Sequence, residues 1–349
     1  MRAPTRPSLA VGRLRNRPDG PTADSPSQSA NRPAGLRGAL YRLGPYGSVV
    51  VLIAAIVIFS ALRPETFATL GNARGILGEQ AVLAFVALGV TIPLIAGQFD
   101  LSVAGNAGLT ALLSAGLMSY SGLPWGAAVA VALACGCAIG LFNGLLSAYI
   151  GIHSFVATLG VGTILFGIQL WYGSGQIIFE GISPGFVELA RTRVGSLTLP
   201  VYYMVGLAVV LWFVLMHTPF GRYLYAIGNN RSAAEVAGVR VKRYTLYSFV
   251  ICGFLAACAG VMLASRTASA QAGLGDAFLL PAFSAAFIGA ATFRRSEFKV
   301  PGTLVGVFLV AVLVAGAFQL GLREYVSPII NGAALILAVV GVRLLSTDR

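Results

Sequence analysis

Ten apolar runs, each near the length of a membrane-crossing helix, limit what this chain can fold into. A helix needs roughly 20 apolar residues to cross a bilayer. Of the 349 residues, 57% are hydrophobic and 10% are charged, whereas soluble domains carry about 25% charged residues. We therefore predict an all-α, polytopic integral membrane protein with about ten transmembrane helices. The runs lie at about 47–63, 76–97, 101–120, 124–149, 156–172, 200–217, 244–264, 277–292, 301–320 and 328–345.

The second and third runs contain features that disturb a regular helix. Pro93 lies in the second run, and the polar stretch Gly97-Gln98-Phe99-Asp100 separates it from the third. We therefore expect irregular backbone somewhere in the stretch 76–120.

The net charge of +12 would suit a nucleic-acid-binding protein, but the distribution of basic residues argues against that class. With a cytoplasmic N-terminus and ten spans, the cytoplasmic segments hold 18 of the 24 Lys and Arg residues. This is the positive-inside bias, which sets orientation in the membrane. We predict a multi-pass plasma-membrane protein with both termini cytoplasmic, with anionic lipid in contact with the basic tail and no nucleic-acid partner.

The first 45 residues differ from the rest of the chain. They hold seven of the sixteen prolines and scattered Arg, Ser and Asn residues, without an apolar core for a signal peptide. Such a composition buries too little surface to offset chain entropy. We predict a disordered, basic cytoplasmic tail at 1–45, a transmembrane domain at 46–345 and a cytoplasmic C-terminus at 346–349.

Motifs for catalysis, metal binding or cofactor binding are missing from the sequence. It has no P-loop that could hold ATP phosphates, and its four cysteines lie in apolar runs, where Cys acts as a small apolar residue. A match to the nucleophile motif G-x-S-x-G at 181–185 is attributed to chance, because Pro184 follows the serine. We expect no cofactor, no metal and no catalytic residue.

The segment 218–243 is a polar, basic loop between two apolar runs. Ser232 and Glu235 have the spacing of a capping box, Gly228 would free the chain from the preceding span, and Gly238 is a natural helix stop. We predict a short helix that docks on a partner ATPase, because the chain has no energy source of its own. An ordinary cytoplasmic loop is the alternative. The predicted docking residues are Gly228, Asn229, Ser232, Ala233, Ala234, Glu235 and Gly238.

Polar side chains inside the runs are candidates for a substrate pathway. Amides suit an uncharged, polyhydroxylated solute, because they offer both donors and acceptors, although each could instead bond two helices together. Asp100 could cap the next span or, as the less favoured reading, bind a coupling ion. The pathway candidates are Gln80, Gln98, Asp100, Asn106 and Asn143, drawn from a wider set that also includes Glu79, Gln169, Gln319 and Asn331.

Glycines recur at four-residue spacing in two runs. Gly136, Gly140 and Gly144 lie in one run, and Gly302 and Gly306 lie in another. Small residues at this spacing share one helix face and let helices approach closely in lipid. We therefore predict a compact bundle.

Three stretches together resemble a known family. They are GQFDLSV (97–103), NGLLSAYIGIHSFVATLGVGTILFGI (143–168) and FGRYLYAIGNNRSAAEVAGVRVKRY (220–244). They are similar to the permease subunits of bacterial ribose/xylose-type ABC sugar importers, over about 46–345. The resemblance implies a complex with a second permease chain, ABC ATPase subunits and an extracytoplasmic sugar-binding protein, with 228–238 as the coupling helix. Two stretches, 96–99 and 290–298, depart from the family pattern. The second departure bears on the identity of the sugar and leaves the transporter class unchanged.

The resemblance implies a permease that imports a ribose- or xylose-like monosaccharide by alternating access, with ATP hydrolysed on a partner subunit. The alternative is a secondary transporter driven by protons or Na⁺, with Asp100 or Glu79 as its ion site.

Overall fold

The computed structural model describes residues 47–291 and 297–347, with side chains described as far as residue 340. Within these residues, six helices are long and apolar enough to cross a membrane, and three shorter apolar helices accompany them. The prediction of an all-α membrane protein is therefore confirmed, while the count of ten spans stays a prediction. The predicted tail at 1–45 and the last two residues of the chain lie outside the described residues.

Thirteen α-helices follow one another in the described residues. They are α1 (Gly47–Leu62), α2 (Leu70–Ile95), α3 (Val103–Ser121), α4 (Trp125–Gly144), α5 (Ser154–Gly173), α6 (Pro184–Arg191), α7 (Leu199–His217), α8 (Pro219–Asn229), α9 (Arg231–Val236), α10 (Val241–Thr267), α11 (Leu279–Ala291), α12 (Val300–Gln319) and α13 (Val326–Thr347). A π-helical turn, Leu145–Ile150, extends α4, and a 3₁₀ turn, Asp276–Phe278, leads into α11. The strands β1 (Arg193–Val194) and β2 (Leu197–Thr198) pair antiparallel between α6 and α7.

Each of the ten predicted apolar runs overlaps a different helix, namely α1 to α5, α7 and α10 to α13. The helix α3 is not among the six that qualify as spans by length and hydropathy. Its polar side chains are accommodated internally: the hydroxyl of Thr110 donates to the Asn106 carbonyl at 2.8 Å, and that of Ser114 donates to the Ala111 carbonyl at 2.8 Å. Most of α3 is buried, because α4, α5 and α10 pack around it.

The polar break between the second and third runs is confirmed, but Pro93 does not cause it. Helix α2 continues past Pro93 to Ile95, and the chain leaves the helix at Gly97, whose φ of +71° suits glycine. Helix α3 begins only at Val103. The non-helical stretch between them is therefore limited to residues 96–102.

The centre of the bundle is α10, which packs against α4, α3 and α2. A Cβ on Gly136 would collide with the Cβ of Ala257, and one on Gly140 would collide with the carbonyl of Phe249. A Cβ on Gly144 would meet Leu246 in the same way. The predicted glycine face of α4 is thus confirmed, and it lets the backbone of α4 approach that of α10 closely.

The second glycine pair packs in the same manner. A Cβ on Gly306 of α12 would collide with the backbone of Ala285 in α11, and Gly302 contacts Gly289 of the same helix. Apolar side chains cover the outer surfaces of α5 and α7, where Trp171 is 80% exposed. A surface of exposed apolar side chains is expected where a helix contacts the hydrocarbon core of the membrane.

Candidate functional site

The helix pair α8 and α9 occupies the segment predicted to dock on a partner. Helix α9 begins at Arg231, and its N-cap is Asn230, whose side-chain oxygen accepts a hydrogen bond from the Ala233 N–H at 3.0 Å. The predicted capping box is therefore wrong, because Ser232 lies inside the first turn. Glu235 instead forms an exposed ion pair with Arg231, at 3.4 Å.

The predicted helix stop at Gly238 is confirmed. Gly238 has a φ of +81°, and its N–H donates to the Glu235 carbonyl at 3.0 Å. The next N–H, of Val239, donates to the Ala234 carbonyl at 3.0 Å. These two bonds form a Schellman motif, which satisfies the last carbonyls of the helix.

Gly228 does not free the chain from a span, as predicted, because it lies within α8. A Cβ there would collide with the carbonyl of Ile95, so the glycine allows α8 to pack against the end of α2. The side chain of Ala234 also points inward and is only 4% exposed. Ala234 therefore packs on the chain's own core and is not available to a groove on a partner, contrary to the prediction.

The surface that α9 leaves exposed consists of other residues. Val236 is 91% exposed, and Asn229, Ser232, Ala233, Glu235 and Gly238 are exposed as well. Val236 is therefore the large apolar side chain that α9 presents at the surface. Sequence reasoning missed Val236, although it directly follows the predicted capping box.

Helix α8 anchors this pair to the bundle. Leu224 and Ile227 are buried in the same apolar cluster as Ala234 and Val241. The hydroxyl of Tyr225 donates to the Phe298 carbonyl at 2.8 Å, which ties α8 to the segment before α12. Burial, and then the nearby carboxylate of Glu297, raise the pKa of Tyr225 above its usual range, so the phenol stays protonated and keeps this bond.

Asp100 lies in the non-helical stretch before α3 and is buried. One of its carboxyl oxygens accepts bonds from the N–H of Ser102 at 3.0 Å, the hydroxyl of Ser102 at 2.7 Å and the amide of Asn143 at 3.3 Å. The thiol of Cys252 lies beside the same carboxyl group. The prediction that Asp100 is the N-cap of the next span is therefore wrong, because Ser102 occupies the N-cap position. Asp100 instead accepts the hydrogen bonds that fix Ser102 there.

The backbone of this stretch is fixed by the neighbouring helix α5. The hydroxyl of Ser154 accepts a bond from the Phe99 N–H at 3.0 Å, and that of Thr158 accepts one from the Leu101 N–H at 3.0 Å. The ring of Phe99 stacks on the rings of Phe283 and Phe287 of α11 and meets the Phe155 ring of α5 edge-on. Such irregular backbone is tolerated at membrane depth only when protein surrounds it and pairs its polar groups.

Two of the remaining amides join helices together. The amide of Asn106 donates to the carbonyls of Gly136 at 3.3 Å and Gly253 at 3.1 Å, so it links α3 to α4 and α10. The amide of Gln169 links α5 to the Gly105 carbonyl at 3.1 Å and accepts from the Gly273 N–H at 3.0 Å. These contacts match the helix–helix alternative of the sequence analysis and leave Asn106 away from the cavities.

A cavity of about 500 Å³ opens among α2, α10, α11, α12 and α13. Three of the polar residues singled out in the sequence analysis meet there, namely Glu79, Gln80 and Asn331. The other polar lining residues are Arg266 and Ser327, and the apolar lining residues are Leu83, Ala277, Phe278, Pro281, Val310, Ala311 and Val314. Arg266 and Ser327 were missed, because they lie 61 positions apart and share no motif.

The polar groups of this cavity are partly unpaired. The amide nitrogen of Asn331 donates to the hydroxyl of Ser327 at 3.4 Å, while its buried oxygen has no partner among the described residues. Arg266 donates to the Glu79 carbonyl at 3.4 Å. The cavity lies in the half of the bundle away from α8 and α9, since Gln80 precedes Ile95 by 15 residues, or about 22 Å of helix.

The five predicted pathway residues therefore fall in three places. Gln80 lines the cavity just described, whereas Asp100 and Asn143 meet in the polar cluster before α3, and Asn106 bonds helices nearby. Gln98 lines a different, polar cavity at the end of the bundle where α9 lies. Among the described residues, no group of three or more His, Cys, Asp or Glu side chains could hold a metal ion.

Comparison with known proteins identifies the family. Residues 72–339 match the family described as "Branched-chain amino acid transport system / permease component". The ribose import permease protein RbsC of Haemophilus influenzae is 31% identical over 305 residues, which cover 86% of this chain and 94% of that protein. The chain belongs to the family of ribose-type ABC sugar importer permeases. It is a multi-pass membrane protein of the bacterial plasma membrane.

Two further relatives of this permease are named for the import of ribose and of galactose. RbsC of Bacillus subtilis is 32% identical over 303 residues, covering 86% of this chain and 92% of its own. The galactose/methyl galactoside import permease protein MglC of Escherichia coli is 32% identical over 311 residues, covering 83% and 91%. No solved structure matches the permease significantly.

Proposed function

We propose that this permease carries a monosaccharide, of the ribose or xylose type, into the cell by alternating access, driven by a separate ABC ATPase subunit. The observation that carries the proposal is the unpaired amide oxygen of Asn331 in the wall of the polar cavity. A sugar hydroxyl would supply the missing donor. A neutral hydrogen bond of this kind contributes about 1 kcal/mol. Relatives named for ribose and galactose import support the substrate class.

The size and lining of the cavity agree with this substrate. Small-molecule sites are commonly about 300–1,000 Å³, with mostly apolar walls and a few placed polar groups, and this cavity of about 500 Å³ fits that description. Its amides and hydroxyls can both donate and accept, as an uncharged polyol requires. The guanidinium of Arg266 adds further donors without needing a charged substrate.

The second element of the proposal is the docking of the ATPase on α9. An apolar side chain presented by a short helix fits the helix-in-groove mode of recognition, and Val236 is the side chain available for it. Binding of ATP would change the permease only if docking is tighter in one of its two states. A second permease chain and an extracytoplasmic sugar-binding protein complete the proposed importer.

The proposed topology has ten spans with both termini and α9 in the cytoplasm. The bias of basic residues supports it, as does the overlap of every predicted run with a helix. The cavity then lies in the outer half of the membrane, where a sugar delivered from outside would first enter.

Ion coupling, the alternative mechanism, has less support. The bonded oxygen of the Asp100 carboxylate is occupied by Ser102 and Asn143, and Asp100 does not line the sugar cavity. Glu79 does line that cavity, so Glu79→Gln should abolish uptake if a proton or Na⁺ binds there.

Uptake of labelled sugars into proteoliposomes containing the complete importer tests the substrate proposal. With ribose, xylose, allose and galactose compared side by side, Asn331→Leu should lower uptake of the preferred sugar roughly tenfold, since a buried polar group is lost from the site. Thr163→Val is the matched control, because the exposed Thr163 hydroxyl bonds only to the Leu159 carbonyl of its own helix. Normal uptake by the Asn331→Leu variant would show that the sugar does not bind in this cavity.

Docking is tested separately with Val236→Glu. The added charge should prevent stable assembly with the ATPase while the permease still inserts in the membrane, because a carboxylate is costly to bury in an apolar groove. Val194→Glu, in the exposed hairpin β1–β2, is the control. Equal co-purification of the ATPase with both variants would rule out α9 as the docking helix.

A further inference from the structure

A second cavity, of about 470 Å³, lies at the end of the bundle where α9 begins. Its wall is formed by Gln98, the residues 147–154 that join α4 to α5, and two basic side chains, Arg231 and Lys242. No carboxylate among the described residues lines it, although Glu235 pairs with Arg231 at the exposed rim. The cavity is therefore polar and positively charged.

The N-terminus of α5 opens into this cavity. His153 occupies the N-cap position without a side-chain capping bond, and both His153 and Ser154 line the cavity. Within the described part of the chain, the N–H groups of Ser154 and Phe155 have no hydrogen-bond acceptor. The free N–H groups and the dipole of a helix of 20 residues attract anions.

The hydroxyl of Ser147 gives an independent indication of a ligand. Ser147 is only 7% exposed, and its oxygen has no hydrogen-bond partner among the described residues, yet the residue lines the cavity. It lies in the π-helical turn Leu145–Ile150, and such turns occur frequently at functional sites. A buried hydroxyl without a partner costs free energy unless a ligand pairs with it.

Lys242 is the most available cation of this cavity. Its ammonium group lies 5.9 Å from the centre of the Tyr149 ring, and no carboxylate of the described residues forms an ion pair with it. The guanidinium of Arg231 offers further donors beyond the one that faces Glu235. Donors therefore converge on the cavity from α5, α9, α10 and the π-helical turn.

We propose that this cavity binds a phosphate group. Phosphate oxygens accept charge-assisted bonds from guanidinium and ammonium groups, and the remaining oxygens would pair with the α5 N-terminus and the Ser147 hydroxyl. The phosphate could belong to the headgroup of an anionic phospholipid or to a soluble phosphate ester. Because Arg231 is the first residue of α9, a bound phosphate would hold the docking helix against α4 and α5.

Binding to the purified full-length permease in nanodiscs tests the proposal and separates the two sources. In nanodiscs of phosphatidylcholine, calorimetric titration with inorganic phosphate and glycerol 3-phosphate reports the soluble ligand. In nanodiscs that also contain phosphatidylglycerol, native mass spectrometry reports retained lipid. Lys242→Gln and Ser147→Ala should each weaken whichever ligand binds, Lys242→Gln by roughly tenfold, since a charged hydrogen bond is lost.

Arg243→Gln is the matched control, because Arg243 is an exposed basic residue next to Lys242 that does not line the cavity. Its affinity should stay within about twofold of that of the unmodified permease, as expected for an exposed charge outside the site. Retention of phosphatidylglycerol that is lost in Lys242→Gln assigns the site to lipid, and binding of either soluble phosphate in phosphatidylcholine assigns it to a soluble ligand. The proposal is wrong if neither ligand binds, or if Arg243→Gln weakens binding as much as Lys242→Gln.

Discussion

Two substitutions of Asp100 distinguish a structural carboxylate from an ion-coupling one. In the structure, one oxygen of Asp100 accepts three hydrogen bonds, from the N–H and hydroxyl of Ser102 and from the amide of Asn143. Asp100→Leu removes that acceptor and leaves three donors without it: the Ser102 N–H, the Ser102 hydroxyl and one Asn143 N–H. At about 1–3 kcal/mol for each stranded donor, the expected loss of stability is about 3–9 kcal/mol.

Asp100→Asn should behave differently, because the amide keeps an acceptor oxygen in the same position. The bonds become neutral and weaker, but the substitution also removes a buried charge, whose burial is itself unfavourable. We expect these two effects to cancel within about 1 kcal/mol. The Asn variant should therefore express, fold and transport sugar nearly as well as the unmodified protein.

The assay has two parts. Thermal unfolding of the purified permease, followed by size-exclusion chromatography, should show the Leu variant strongly destabilised and the Asn variant close to the unmodified protein. ATP-driven uptake of labelled sugar into proteoliposomes should persist in the Asn variant and resist a protonophore. If the Asn variant folds normally but cannot accumulate sugar, and if a protonophore abolishes accumulation at constant ATP, Asp100 carries a coupling ion and the structural explanation is refuted.

Three further predictions follow from the packing, the topology and the capping. Gly140→Val should destabilise the bundle by about 1–3 kcal/mol, as overpacking does. The control Gly167→Ala, whose new methyl group meets open space, should leave the melting temperature unchanged or raise it. Similar melting temperatures of both variants would contradict the close α4–α10 contact. In a cysteine-free background, an impermeant thiol reagent on whole cells should label a cysteine at Ser183 and spare one at Ser232; the reverse would invert the topology. Asn230→Ala should cost α9 about 1 kcal/mol and speed amide hydrogen exchange there; unchanged exchange would exclude the cap.

The features that sequence predicted well depend on local composition. The apolar runs gave the helices, because burial in a membrane requires that length and composition. The spacing of Gly136, Gly140 and Gly144 gave a helix contact, because residues four apart share one face whatever lies opposite. Gly238 predicted a helix end correctly, because glycine lacks a Cβ and adopts the positive φ of a helix C-terminus without steric cost.

The features that sequence predicted poorly depend on which face of a helix is covered. Asn230 and Ser232 are both good capping residues, and the choice between them follows from where α8 ends. Burial of Leu224 and Ile227 keeps α8 helical as far as Asn229, which leaves the next residue to cap α9. In an alanine-rich helix, the sequence has no polar stripe to show that Ala234 faces inward.

The polar cavity could not be assembled from sequence for a different reason. Its polar lining residues come from α2, the end of α10 and α13, and no spacing in the chain relates them. Asn331 appeared among several polar residues with equal standing. The amide oxygens of Asn106, Asn143 and Gln319 also lack a partner among the described residues, and Asn331 differs from them because it lines this cavity. A single polar residue in an apolar helix needs a hydrogen-bond partner. Which group becomes that partner depends on the tertiary fold and cannot be read from the helix alone.

The two ends of the bundle are joined by the same two helices, which has a consequence for coupling. Helix α2 carries Gln80 in the polar cavity and contacts Gly228 of the α8–α9 pair at its other end. Helix α10 begins three residues after Gly238 and carries Arg266 into the cavity. Both helices also contact each other. Because packed helices shift between discrete arrangements, we expect a shift of the α8–α9 pair to be transmitted through α2 and α10 to the polar walls of the cavity.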